Sequence, residues 1–358
     1  MKGPEARRPW VRATLSALLW ALFGDVALAA GGGEWTFMVS GDSRNCGNVV
    51  MPSIARDARE HSAKFYWHLG DLRWITDIDE DFAASHDGVS KDAYRLAAWD
   101  DFVDNQIAPF AGVPFFLGIG NHETKQPKTR AQFVSKFSDW LDAPLLHAQR
   151  LQDDAQDLQP HTYYHWRQQG IEFLYLDNGS DDQFDARQLT WLTRILGMAS
   201  TDDSVRAVVV GMHKAMPDSI ADGHSMSESS VGRKSGRRVY HQLLELQKQK
   251  PVYLLASHSH YYMAGIYDTT YWRSEGGVLP GWIVGTAGAK RYDLPAELHG
   301  NKDHRAHVYG YLVGTVKPAG SADPVSFQFR EITQVDVPND IVAKYGTALV
   351  RTCYAKNP

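Results

Sequence analysis

Val113-Pro114-Phe115-Phe116-Leu117-Gly118-Ile119-Gly120-Asn121-His122-Glu123 passes from an apolar run into a polar cluster within two positions. The run Val113–Ile119 is short, aromatic and bounded by turn formers, which predicts a buried strand. Gly120 closes it, and an amide, an imidazole and a carboxylate follow in consecutive positions. The same layout recurs. Trp35–Ser40 predicts a strand ending at Gly41-Asp42, and Lys64–Leu69 one ending at Gly70-Asp71. Val205–Gly211 ends at Met212-His213, and Val252–Ala256 at Ser257-His258-Ser259-His260. Turn chemistry accounts for a Gly-Asp taken singly. It does not account for histidine at three of five strand ends.

Between these strands lie stretches of helical character at Val49–His61, Asp92–Phe110, Asp185–Leu196 and Arg237–Lys248. In the third, Leu189, Leu192, Ile195 and Leu196 recur at helical spacing. Tyr163–Asn178 predicts a hairpin turning at Gln169-Gly170, and further strands are expected at Trp282–Gly285, Tyr309–Val316 and Val325–Ile332. The alternation specifies an α/β fold, in which ligands bind beyond the carboxyl ends of the strands. The polar stretch Asp218–Arg238, which contains His224, reads as a loop long enough to cover a site there.

The composition is that of an ordinary globular protein: 358 residues, 43% hydrophobic and 22% charged, with 2 cysteines. It excludes a disordered chain, a collagen-like repeat and a disulfide-dense mini-fold. A net charge of -5 argues against a general nucleic-acid or anionic-membrane binder. Residues 1–29 have the layout of a secretory signal peptide: Arg7, Arg8 and Arg12, then the apolar run Ala13 to Phe23, then Ala27-Leu28-Ala29. A secreted or periplasmic protein with no stable membrane span after cleavage is therefore expected. Export lets disulfides survive, so Cys46 and Cys353 either pair or remain as two buried thiols.

Carboxylates, an amide oxygen and imidazoles together suit zinc, manganese or iron. A carboxylate can bridge two such ions, and a pair of ions can clamp phosphoryl oxygens in an in-line displacement. In order and spacing, Gly41-Asp42, Gly70-Asp71, Gly120-Asn121-His122-Glu123, His213 and His258-Ser259-His260 resemble the motifs of the calcineurin-like metallophosphoesterases. The nearest layout is that of the secreted purple-acid-phosphatase type. The resemblance spans about Trp35 to Ala289.

It implies a sandwich of two mixed β-sheets flanked by helices, formed by residues 30–358 as a single metallophosphoesterase domain. It also implies two metal ions (Fe, Zn or Mn) with Asp71 bridging. Asn121, His213 and His258 would complete one site, and Asp42 and His260 would serve the other. His122 would be the general acid, protonating the leaving alkoxide, with Glu123 orienting its ring.

Two positions depart from the pattern. The histidine that follows the first Asp by two positions is Arg44 here. The tyrosine of purple acid phosphatases, three positions after the second Asp, is Trp74. Neither can donate a lone pair to a metal. Three alternatives follow: two ions, one completed by water or Asn45; a single ion, with Arg44 gripping phosphate in place of the other; or a catalytically silent metal-binding descendant. The expected activity is hydrolysis of small phosphate esters by metal-activated water. A phosphomonoesterase, acid phosphatase-like, is the first expectation, with a phosphodiesterase as the alternative. No nucleic-acid partner is expected beyond a nucleotide substrate.

Overall fold

Twelve strands build two sheets in the computed structural model, which describes residues 33–355. In chain order they are β1 (Trp35–Ser40), β2 (Tyr66–His68), β3 (Phe115–Leu117), β4 (Tyr164–Gln168), β5 (Ile171–Leu176), β6 (Ala207–Met212), β7 (Val252–Ala256), β8 (Tyr262–Ala264), β9 (Gly281–Val284), β10 (His304–Arg305), β11 (Tyr309–Val316) and β12 (Val325–Ile332). The first sheet has the order β12-β11-β1-β2-β3 and the second β10-β8-β9-β7-β6-β5-β4. In the first, β1, β2 and β3 are parallel, while β11 runs antiparallel to β1. In the second, β5, β6, β7 and β9 are parallel, with antiparallel partners outside them. This is the sandwich of mixed sheets expected from the sequence. The leader expected over residues 1–29 lies outside the described residues. None of the described helices is long and apolar enough to cross a membrane.

Aromatic side chains fill the space between the sheets. Phe65, just before β2, and Trp67 within it meet Trp166 and Phe173 of the β4–β5 hairpin edge-on, at centroid distances of 5.4, 5.2, 5.2 and 6.2 Å. Phe116 of β3 stacks on Trp166 at 4.0 Å. Each such pair contributes about 0.5–1.5 kcal/mol beyond its buried area. On the outer face of the second sheet, helices Ala186–Thr201 and Ser230–Gln247 lay Leu192, Ile195, Val239 and Leu243 over Leu174, Val208, Val210 and Leu254. β5, β6 and β7 are therefore buried on both faces; β6 and β7 read as unbroken apolar runs for that reason, while β5 carries the buried Glu172, paired with His165 and Arg167.

Three segments differ from expectation. The helix expected over Asp92–Phe110 is α-helical only over Lys91–Phe102, continuing as a π-turn and a 3₁₀ turn to Phe110. The loop expected over Asp218–Arg238 ends early, because the helix starts at Ser230, where the Ser229 side chain caps it by accepting from Gly232 N–H. A C-terminal helical segment, Asn339–Tyr354, kinked at Gly346, packs near helix Gly47–Glu60. Cys46 and Cys353 are disulfide-bonded across this contact.

Candidate metal centre

Backbone bonds fasten the strand ends to one another, both within and between the two sheets. Gly41 N–H donates to Val284 O (3.0 Å), Ala289 N–H to Asp42 O (2.8 Å), Asp42 N–H to Gly70 O (2.9 Å) and Ser257 N–H to His213 O (2.9 Å). The approach is too close for side chains at two motif glycines. A Cβ on Gly120 would stand 2.3 Å from Asp71 Oδ1, and one on Gly70, whose φ is +99°, 2.5 Å from Gly120 N. Asp42, Asp71 and His258 adopt φ values of 60°, 58° and 65°, the left-handed region that non-glycine residues usually avoid. Non-glycine residues held there mark functional sites when the surroundings over-determine them. Here Asp42 Oδ2 accepts His258 N–H at 2.6 Å and Asp71 Oδ1 accepts His122 N–H at 2.9 Å.

Asp42, Asp71, His213 and His258 converge so that one ligand atom from each lies within 4.8 Å of the others. His213 Nδ1 is 3.1 Å from Leu69 O, which can only accept, so the ring proton belongs on Nδ1. Its bare Nε2 then faces Asn121 Oδ1 at 2.9 Å, His258 Nδ1 at 3.1 Å and Asp71 Oδ1 at 3.3 Å. The lone pairs of His213 Nε2, Asn121 Oδ1 and Asp71 Oδ1 face one another, and a cation among them removes the repulsion. Asp42 Oδ1 and Asp71 Oδ2 add two buried carboxylate oxygens with no hydrogen-bond partner. This donor set fits one divalent cation of the zinc, manganese or iron kind.

The electrostatics suit ligation. Burial pushes the His258 and His260 imidazoles well below their ordinary pKa and that of His122 down to about 4, so these rings are neutral near pH 7. Burial would raise Asp71, but the charges that His213, His122 and Arg44 carry when protonated outweigh it and hold the carboxyl well below the usual range. Asp42 is pushed up to about 7, chiefly by burial.

Arg44 lies against this donor set, nearly buried. Its Nη1 donates to His122 Nε2 (2.7 Å), its Nη2 to His260 Nε2 (2.9 Å), and its Nε is 3.8 Å from Asp71 Oδ2. His260 is also tied by its Nδ1–H to Lys290 O at 2.5 Å.

Glu123 departs from its expected role. Its carboxylate accepts Gly120 N–H (2.7 Å), Asp71 N–H (2.9 Å) and Leu72 N–H (2.9 Å) and makes no hydrogen bond to the His122 ring. It pins two strand ends together. Asn45, considered above as a ligand, turns away to Glu80 and Lys290 N–H. The Trp74 indole lies under the Lys290 ammonium.

Tyr292 and Lys214 join the site beside His224, whose covering loop the sequence marks. Tyr292 stacks on His260 at 4.0 Å and on His224 at 5.3 Å, and the His224 ring stands 5.8 Å from His258. Lys214, next to His213, pairs with Asp182 (2.7 Å) and Glu228 (3.1 Å). Its position directly after a strand-end histidine was the only available cue.

No family model and no curated protein matches the chain. Solved structures do match in fold. The chain superposes on a purple acid phosphatase from yellow lupin (Lupinus luteus) seeds with TM-score 0.54 and 17% identity, covering 84% of this chain and 52% of that one. It thus spans about half the length of the lupin protein. The structure of PhoD gives TM-score 0.55 at 15% identity over 85% of this chain and 72% of that one. A dimetal phosphatase from Danio rerio gives 0.52 at 13% identity over 83% and 96%. The architecture is thereby that of the calcineurin-like metallophosphoesterase fold.

Proposed function

We propose that the chain hydrolyses phosphate monoesters, with water as the nucleophile. The observation that carries this reading is the guanidinium of Arg44 lying directly beside the Asp42–Asp71–His213–His258 donor set. A cation held by those four residues would polarise a phosphoryl oxygen and lower the pKa of water. A monoester presents two negative charges on three terminal oxygens, which a divalent cation and a fork of guanidinium N–H groups match together. A diester presents only one charge on two.

Arg44 donates to His122 Nε2. A phosphate oxygen competing for the same N–H releases that nitrogen, and the dianion raises its affinity for a proton. His122 is then positioned to protonate the leaving alkoxide. A cleft of about 300 Å³, lined among others by Ile220, His224, Tyr261 and Tyr292, the last stacked on His260, offers room for the leaving group. The lupin and Danio rerio neighbours, both named as phosphatases, support the same chemistry. The leader-like first 29 residues and the disulfide support export to a secreted or periplasmic location.

The test is hydrolysis of p-nitrophenyl phosphate and its bis-ester by chelated protein to which zinc, manganese or iron is returned. Preference for the monoester is expected. Turnover of the bis-ester alone would move the assignment to a phosphodiesterase, and no turnover with any of the metals would remove the enzymatic reading.

A further inference from the structure

We propose that this site is built for one resident cation, and that the Arg44 guanidinium fills, as a fixed charge, the place a second would take. The inference rests on the cation-site reading above but concerns the number of ions, which can be measured without activity.

A second ion would need donors of its own beside a shared Asp71. Apart from the Asp42 carboxylate, whose Oδ1 is 3.2 Å from His260 Nε2 and which the first ion already draws on, each candidate on that side is otherwise engaged. His260 Nε2 accepts from Arg44 Nη2, and its Nδ1 is committed to Lys290 O. His122 Nε2 accepts from Arg44 Nη1. The Asn45 amide is turned outward, with Oδ1 accepting from Lys290 N–H (3.1 Å) and Nδ2 donating to Glu80 (2.9 Å). Trp74 offers no lone pair.

The guanidinium is also held in place. It is 8% exposed, and the residue that follows it is anchored by Asn45 N–H donating to Asp79 Oδ1 at 2.6 Å. Arginine does not give up its proton in proteins. An incoming second cation would face a permanent positive charge already in contact with two of the nitrogens it needs. One divalent ion plus Arg44 balances Asp42 and Asp71 with a single positive charge to spare for the substrate. Two ions plus Arg44 would leave three.

Metal content by mass spectrometry and isothermal titration with zinc alone, on the chelator-stripped full chain, tests the proposal. Wild type is expected to take up one equivalent. Arg44→His, which removes the charge and adds a lone pair, is expected to take up two. His260→Ala should keep the single equivalent within about tenfold of the wild-type affinity, while His258→Ala should weaken it by about a hundredfold or more. Two tight equivalents in wild type, or loss of the tight equivalent in His260→Ala, would overturn the one-ion proposal and leave the phosphatase reading standing. No uptake at all would overturn both. If Arg44→His does not fold, as judged by circular dichroism, the wild-type count and the two alanine variants decide.

Discussion

Replacing Glu123 by glutamine separates two roles for this side chain that its position in the sequence cannot separate. The carboxylate is fully buried and accepts three backbone N–H groups, two on Oε2 from Gly120 and Asp71 and one on Oε1 from Leu72. Glutamine keeps the shape but offers only one accepting oxygen. Its NH₂ must therefore confront one or two buried donors, whichever way the amide is turned. A hydrogen bond to a charged partner contributes about 1.5–3 kcal/mol, and a buried donor left unpaired costs about 1–3 kcal/mol. With the best orientation one donor is stranded and the other two exchange a charged acceptor for a neutral one. The expected loss is about 2–4 kcal/mol. For a chain of this length, unfolding entropy converts each kcal/mol to about 1.5 °C, so Tm should fall by about 3–6 °C. The measurement is thermal unfolding by circular dichroism at pH 9, above the value of about 8 to which burial pushes the Glu123 carboxyl, and in excess chelator, so that metal binding contributes nothing to the difference. An unchanged Tm accompanied by slower turnover would refute the clamp and return Glu123 to orienting His122.

Other consequences of the structure are open to direct measurement. His122→Ala should lower kcat by about 10²–10⁴-fold while zinc affinity stays near wild type; an equal loss of both would make His122 a ligand instead. Arg73 is fully buried, with Asp79, Asp81 and Asp101 at 2.8, 3.0 and 2.9 Å. Arg73→Met leaves those carboxylates unpaired and should cost about 3–5 kcal/mol at neutral pH, read as a fall in the urea midpoint. A midpoint within error of wild type would mean that the network contributes nothing. Cys353→Ser opens the longest covalent loop in the fold and should remove about 2–5 kcal/mol. Reducing agent should lower the Tm of wild type to that of the variant and leave the variant itself unaffected.

The strand ends were legible because burial on both faces forces apolar runs, and a run that stops at Gly-Asp or at histidine shows where the buried face gives way to the site. That reasoning located β1 and β7 to the residue. It also singled out all four members of the converging donor set. That Glu123 would accept backbone N–H groups of distant strand ends was not legible, because main-chain donors leave no trace in residue identity. Arg44 was recognisable as a replaced ligand, yet nothing local specified that it would grip both His122 and His260. The helix beginning at Ser230 was hidden by Gly232 and Gly236, poor helix formers. Both are required by packing: a Cβ would stand 2.6 Å from Asp182 O at the first and 2.5 Å from Pro217 Cδ at the second. The Cys46–Cys353 pairing depends on a helical contact between opposite ends of the chain, which composition and spacing do not encode.

Asp42 follows β1, which lies between β2 and β11, so one edge of β1 is completed only by a strand translated long after it. Until then a central strand offers an open ladder of N–H and C=O groups to any passing chain. A ribosome-bound fragment ending before β11 would therefore need a chaperone, or delivery in the unfolded state, to escape aggregation. Contacts of such wide separation also slow the search for the native topology.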